Sequence, residues 1–411
     1  MGKLTNFASV LLLIAAGSTV GANAVKAADE LAPEKLHVEK IPAGPRDHWI
    51  WVGDVNPMSN VDTRAMLYDA DKGKMLGMLS TGYWGSVILL PKSTGDVVSL
   101  ETYFEHGTRG KRHDYVVVYD PQTLKPLHEI EIPPRRMTAL IQSRMGGLTD
   151  DDHFVAVTNF TPAQTISIVD LQTNKFVEEV NMAGCGQIYP AGPRRLLTLC
   201  GDATLRSLML DDTGHVIDQV DGKPFFDPFG DPVIIHAVRA GDDWLFASFA
   251  GYIYQIDASK PETSLREKWS LLSDSERKAG WRTAGYQSLA VQKSQNRLYA
   301  LMRKGPEDTY EQPGDEIWVY DIASHERVEK ITLENTTLAI EVSQDAKPIV
   351  YAASLKTVVP YWTLAVMSII GIHFEELDIV KPALDVYDAA SGEHLRTVDH
   401  VAQFATSLQQ P

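Results

Sequence analysis

The 411-residue chain is 44% hydrophobic and 22% charged, which excludes a disordered protein and allows a large buried core. Its formal net charge of −16 argues against nucleic acid or an anionic membrane as partner. Two cysteines, Cys185 and Cys200, are too few for a cysteine-based zinc site.

The first element is a targeting segment. Lys3 precedes an apolar run from Phe7 to Ala16, and small-residue sites follow at Ala22-Asn23-Ala24 and Val25-Lys26-Ala27. Residues 1–27 therefore read as a secretory signal peptide cleaved after Ala24 or Ala27. The apolar run is well short of the roughly 20 residues that a membrane span needs. Cleavage after Ala27 removes two lysines and no acids, taking the formal charge from −16 to −18. In an oxidising compartment, one disulfide between cysteines 15 residues apart is the economical reading, with two free buried thiols as the alternative. An N-terminal extension, residues 28–46, leads into the body of the chain.

From 47 to 411 one cadence recurs. An apolar or alternating run ends in Asp, a polar turn follows, and a second short strand completes the hairpin, as in "RAMLYDADKGKMLGML", "ISIVDLQTNKFVEEV" and "LDVYDAASGEHLRTV". The marking residues are Asp69, Asp120, Asp170, Asp211, Asp257, Asp321 and Asp388, spaced by 51, 50, 41, 46, 64 and 67. β-Branched and aromatic residues before each Asp suit a pleated, half-buried strand. The Asp side chain can cap the turn through backbone N–H groups. Further strand-like runs precede most hairpins, so each unit amounts to three or four antiparallel strands. Seven such units predict an all-β, seven-bladed β-propeller, with a pair of β-sandwiches as the runner-up. Its first and last units should be joined by a strand from the C-terminal segment 402–408.

Two stretches depart from the cadence. "SLLSDSERKAGW" (270–281) predicts a short helix, N-capped by Ser273 or Asp274 with Glu276 in its first turn. A hydrophobic insertion lies at about 357–382, uncharged from Thr357 to Ile372. With Pro360 and Gly371 it makes a poor membrane helix. It is expected to be buried strand plus loop, or else an exposed partner surface.

Catalytic motifs are thin. "DADKG" (69–73) lacks the glycine and the distal glutamate of a calcium loop at the required spacing. His106 and His113 have no partner at metal-binding spacing, and no metal site is expected. Neither a GxSxG elbow nor an HExxH motif is present, and "GTRG" lacks the Lys-Ser/Thr of a phosphate loop. The acid pairs Asp151-Asp152, Asp242-Asp243 and Glu375-Glu376 read as solvated turns. The chain does not look like a self-sufficient enzyme. One feature stands out on so acidic a protein. The loop in "YFEHGTRGKRHDYVVVYD" places five basic or potentially basic side chains between His106 and His113.

The segments "LGMLSTGYWG", "HGTRGKRHDYVVVYDPQTL", "GCGQIYP…LLTLCGD", "GWRTAGYQSLAVQKSQNRLYAL", "EIWVYD" and "VSQDAKPIVYA" occur in order from about Asp47 onward. This pattern resembles the heavy subunit of the quinoprotein amine dehydrogenases, the methylamine and aromatic amine dehydrogenases of the bacterial periplasm. It departs from them at the insertion 357–382. The resemblance implies a seven-bladed propeller, a Cys185–Cys200 disulfide and a periplasmic location. It also implies oxidative deamination of a primary amine to aldehyde and ammonia, with electrons passed to a periplasmic cupredoxin. The tryptophan tryptophylquinone cofactor and the catalytic base would reside on a small subunit, two of each chain forming a heterotetramer. No catalytic residue and no bound cofactor are then expected on this chain. Tyr83, followed by Trp84, matches the aromatic position at the mouth of the family's substrate channel, where it would form a wall; a core aromatic between blades is the alternative. Arg109, Lys111 and Arg112 are then candidates for pairing with carboxylates of the small subunit, with a solvated hairpin as the alternative. A competing function is a free-standing periplasmic binding propeller without catalytic activity.

Overall fold

The computed structural model describes residues 39–55, 61–85, 87–139, 143–357 and 380–411. The signal peptide, residues 28–38 of the extension, and most of the insertion lie outside the described residues. What is described is almost wholly β, with one five-residue α-helix and one short 3-10 turn. Three sheets have four strands and two have eight. Within each four-stranded sheet, the strands pair antiparallel in chain order.

The sequence pattern explains the burial. The middle strands of a unit, such as Phe154–Asn159 and Thr165–Asp170, are buried along their whole length, because both faces pack on neighbouring sheets. The fourth strand is more exposed and more polar, as in Pro126–Ile132 and Lys175–Asn181. Apolar clusters fill the spaces between sheets. One of them joins Ile50 and Val52 near the chain start to Tyr351, Leu384 and Val386 near its end.

All seven marker aspartates cap their turns as the sequence predicts. Asp120 accepts from the backbone N–H groups of Gln122 and Thr123 at 3.1 and 2.7 Å. Asp170 does so from Gln172 and Thr173, and Asp388 from Ala390 and Ser391. Asp69, Asp211, Asp257 and Asp321 accept from Lys72, Thr213, Ser259 and Ser324 in the same way. "DADKG" is thus a hairpin turn, with the Lys72 ammonium 2.7 Å from Asp69.

The predicted helix exists but is shorter than its stretch, covering Asp274–Lys278. Ser273 is its N-cap and forms a capping box with Glu276. Asp243 differs from the solvated turn residue expected. It opens the strand Asp243–Ala247, is buried, and accepts from Gln255 and Arg266.

The C-terminal strand Ala405–Gln409 pairs antiparallel with Trp49–Asp54, overlapping the segment 402–408 expected to join the two ends of the chain and running one residue past it. Buried Asp54 accepts the N–H groups of Gln403 and Phe404 at 3.0 and 2.9 Å. On the other side, the buried Gln287 amide donates to the Leu408 carbonyl and accepts from the Leu408 N–H, both at 3.0 Å. Gln287→Leu would strand both backbone groups, and should lower unfolding stability by about 3 kcal/mol in urea titrations. A change below about 0.5 kcal/mol, the scatter of ordinary surface substitutions, would show that the clamp carries nothing.

The pH dependence of stability can be signed. Each marker Asp titrates below the ordinary carboxylate range. For Asp120 the Thr123 hydroxyl and amide are the causes, and for Asp388 the Ser391 amide; at Asp170 burial opposes but the Thr173 hydrogen bonds outweigh it. Their stabilisation holds above the unfolded value of about 4 and is lost as pH falls below it. Burial, then the nearby Arg144 charge, push His236 down to about 3, so its contribution is lost as pH falls from about 6.5. Burial pushes Glu341 up to about 7, so its contribution runs the other way and is lost as pH rises toward 7. The melting temperature should therefore be level between about pH 4.5 and 6.5 and drop below about pH 4. In Glu341→Gln the drop should begin near pH 6.5, because the His236 effect is no longer offset. Melting curves across pH 3–8 check both, and an unchanged profile in the variant would refute the offset.

Candidate functional site

The Tyr83–Trp84 turn follows the strand Lys74–Gly82. Gly82 sits at φ +70°, and a Cβ there would lie 2.6 Å from the Thr102 carbonyl oxygen, so only glycine fits. This close approach lets Gly82 pair with Thr102 and the Tyr83 N–H donate to Thr102 O at 2.8 Å. At Gly85 a Cβ would meet the Thr81 carbonyl oxygen at 2.1 Å. The Gly85 N–H instead donates to Thr63 Oγ1 at 2.7 Å, whose hydroxyl donates to Gly82 O. Between these glycines Trp84 holds φ +43°, an unfavourable left-handed conformation for a bulky residue. The half-buried Tyr83 ring meets Phe104 edge-on, with centroids 5.3 Å apart. Its hydroxyl makes no hydrogen bond among the described residues.

A residue that sequence reasoning missed holds this turn. Arg136, 2% exposed, donates from Nη2 to Tyr83 O at 2.9 Å and from both Nη atoms to Trp84 O at 3.3 Å. Its Nε donates to Thr102 Oγ1 at 2.9 Å, and its backbone N–H to Asp114 Oδ2 at 2.7 Å. Burial pushes the guanidinium down to about 10, partly offset by Asp114, so it stays charged at neutral pH. Asp114 is wholly buried and takes Arg112 bidentately, both contacts at 2.8 Å. Beside it, buried Glu101 accepts the hydroxyls of Tyr103 and Tyr119; burial raises its carboxyl and these bonds pull it back.

The basic loop joins the strands Val97–Phe104 and Arg112–Tyr119. Gly107 and Gly110 take positive φ at its tip, and His106 N–H donates to Arg109 O. Its three predicted partner residues separate here. Arg112 is spent inside the protein, on Asp114 and on the Arg136 carbonyl oxygen at 2.5 Å. Arg109 and Lys111 are exposed and form no ion pair among the described residues. His113 pairs with Glu131 at 2.9 Å, while His106 lies exposed. Among the described residues, no group of three or more His, Cys, Asp or Glu is placed to hold a metal ion. The structure thus connects Tyr83, Trp84 and Arg112 through Asp114 and Arg136. The sequence did hold one cue. Asp114 shares the inward face of its strand with Val116 and Val118, where an acid needs a partner. Nothing in "IPPRRM" marks which arginine supplies it.

Cys185 and Cys200 lie elsewhere. They stand directly opposite each other on two paired strands and form a disulfide. Cys200 borders a cavity of about 470 Å³ shared with Met137, Met145 and Phe226. Phe160, at the rim of this cavity, is 49% exposed; its N–H donates to Arg135 O, next to Arg136.

Residues 48–369 match the family profile of the methylamine dehydrogenase heavy chain. The methylamine dehydrogenase heavy chain of Methylobacillus flagellatus is 29% identical over 309 residues, covering 72% of this chain and 74% of the relative. That of Paracoccus versutus is 29% identical over 346 residues, covering 83% and 74%. Among solved structures, the β-propeller domain of Myceliophteria thermophila Cps50 aligns with a TM-score of 0.50 at 11% identity, over 79% of this chain and 95% of that domain. At that identity it speaks for the fold alone. The chain belongs to the methylamine dehydrogenase heavy chain family.

Proposed function

We propose that this chain is the heavy subunit of a periplasmic amine dehydrogenase, exported by residues 1–27 and assembled as two heavy and two light chains. The observation that carries the reading is the family match over residues 48–369. It converts primary amine and water to aldehyde and ammonia, and the electrons released go to a cupredoxin. The tryptophan tryptophylquinone of the light chain supplies the two-electron oxidation. What this chain supplies is a scaffold and part of the substrate's path. Tyr83, with Trp84 beside it, forms an apolar wall of the amine channel. Its half-buried ring, standing on a pinned turn, and its hydroxyl, which makes no hydrogen bond among the described residues, are in keeping with a wall that shapes entry without moving a proton.

The scaffold is a seven-bladed propeller in this reading. Three blades are the four-stranded sheets. The first eight-stranded sheet divides at the single parallel pair Gly82–Thr102. The second divides within the 16-residue strand Arg327–Val342, whose first part pairs with Gly314–Asp321 and whose last part pairs with Ile349–Thr357. The strand Ala405–Gln409 completes the first blade. Because pairing is antiparallel, the Tyr83–Trp84 turn and the basic loop lie at the sheet ends opposite the Asp turns of their own units. That end receives the light chain, with Arg109 and Lys111 reaching its carboxylates. Arg112 forms the root of the loop.

Purification from the periplasm of the native host should yield a stoichiometric small chain whose quinone absorbance bleaches on addition of a primary amine. A colourless monomer would instead support a free-standing binding propeller. Charge reversal in Arg109→Glu with Lys111→Glu should weaken heavy–light association about tenfold or more at low salt, and less at high salt. Titration at two ionic strengths checks this, and equal affinities at both would remove the loop from the interface.

A further inference from the structure

We infer that Arg136 is the positioning residue that sets the Tyr83 side chain, and thereby the size of amine admitted; this rests on the reading of Tyr83 as a channel wall. The direction of a side chain follows from the two peptide planes flanking its Cα. At Tyr83 both are pinned. The plane before it is held by the Tyr83 N–H on Thr102 O. The plane after it is held by Arg136 Nη2 on Tyr83 O at 2.9 Å. The next plane is held by Arg136 again, on Trp84 O, and by the Gly85 N–H on Thr63 Oγ1. One guanidinium therefore fixes two consecutive carbonyls across the left-handed Trp84. Such a conformation persists only where the surroundings over-determine it.

Arg136 is fixed in its turn. Thr102 Oγ1 takes its Nε, and Asp114 takes its backbone N–H while anchoring Arg112 through both oxygens. Asp114 also accepts the Thr102 hydroxyl at 2.8 Å. The facing charges are thus Asp114, Arg112 and, further off, Glu101. The planar fork of donors matters as much as the charge. A lysine ammonium in its place keeps the charge but is a point donor, unable to span Thr102 and two carbonyls in fixed geometry. Arg136 touches neither substrate nor cofactor in this account and acts only through the turn.

The test uses the assembled heavy–light enzyme with a series of primary amines, from methylamine through hexylamine to benzylamine. Arg136→Lys should raise KM for the best amine about tenfold while kcat changes less than about threefold, flattening the preference across the series. Tyr83→Ala should flatten it too, and the double variant should be no flatter than Tyr83→Ala alone, because both act through one ring. Should Arg136→Lys fail to assemble, Asp114→Asn, which loosens the same arginine, must show the same KM-weighted loss of preference. An unchanged preference in these variants, alongside a Tyr83→Ala that does shift it, overturns the role of Arg136 and leaves the wall standing. A Tyr83→Ala enzyme with unaltered preference overturns the wall and the inference with it.

Discussion

The structure depends on the pairing of Ala405–Gln409 with Trp49–Asp54. Without it, the first unit would present the edge of Trp49–Asp54 as a row of unpaired backbone groups. The pairing joins residues more than 350 positions apart, so the chain between them must already be ordered for it to form at modest entropic cost. It is secured from two sides by side chains that accept or donate to its backbone, Asp54 on its own unit and Gln287 from a distant one. The apolar cluster holding Ile50, Tyr351 and Leu384 is buried across the same junction.

The units themselves are built from a local device that needs no long-range help. An aspartate at the end of a strand folds back on one or more N–H groups two to four residues ahead, and the turn closes. All seven instances form, since everything the device requires lies within about five residues. The helix at Asp274–Lys278 is local in the same sense: Ser273 and Glu276 make a reciprocal cap. It stops early because a single turn with no buried residue has little packing to extend it.

The end of the fold around Tyr83 is organised differently. The loops around Tyr83 carry little regular structure, and their shape comes from buried charge. Arg136 and Asp114 come from different segments, 22 residues apart, and meet only once the sheet has formed. Low dielectric makes such a network strong when every member is satisfied and costly when one is missing. The division of labour in the basic loop follows from this. Arg112 is drawn inward by the buried carboxylate, and the cations left facing solvent are Arg109 and Lys111.

The sequence alone determined the all-β character, the seven Asp turns, the capped helix and the segment that returns to the first strand. Each is encoded by spacing over a few residues, and hydrophobic periodicity with turn chemistry reads such spacing directly. Motif order was likewise enough to point to the heavy-chain family. Only the tertiary structure decided that Arg112 pairs with buried Asp114, that Asp243 is a buried acceptor, and that Arg136 grips the Tyr83–Trp84 turn. The reason is physical. A charged side chain's role is set by the partner it finds on desolvation, and that partner lies wherever the packed sheets bring it.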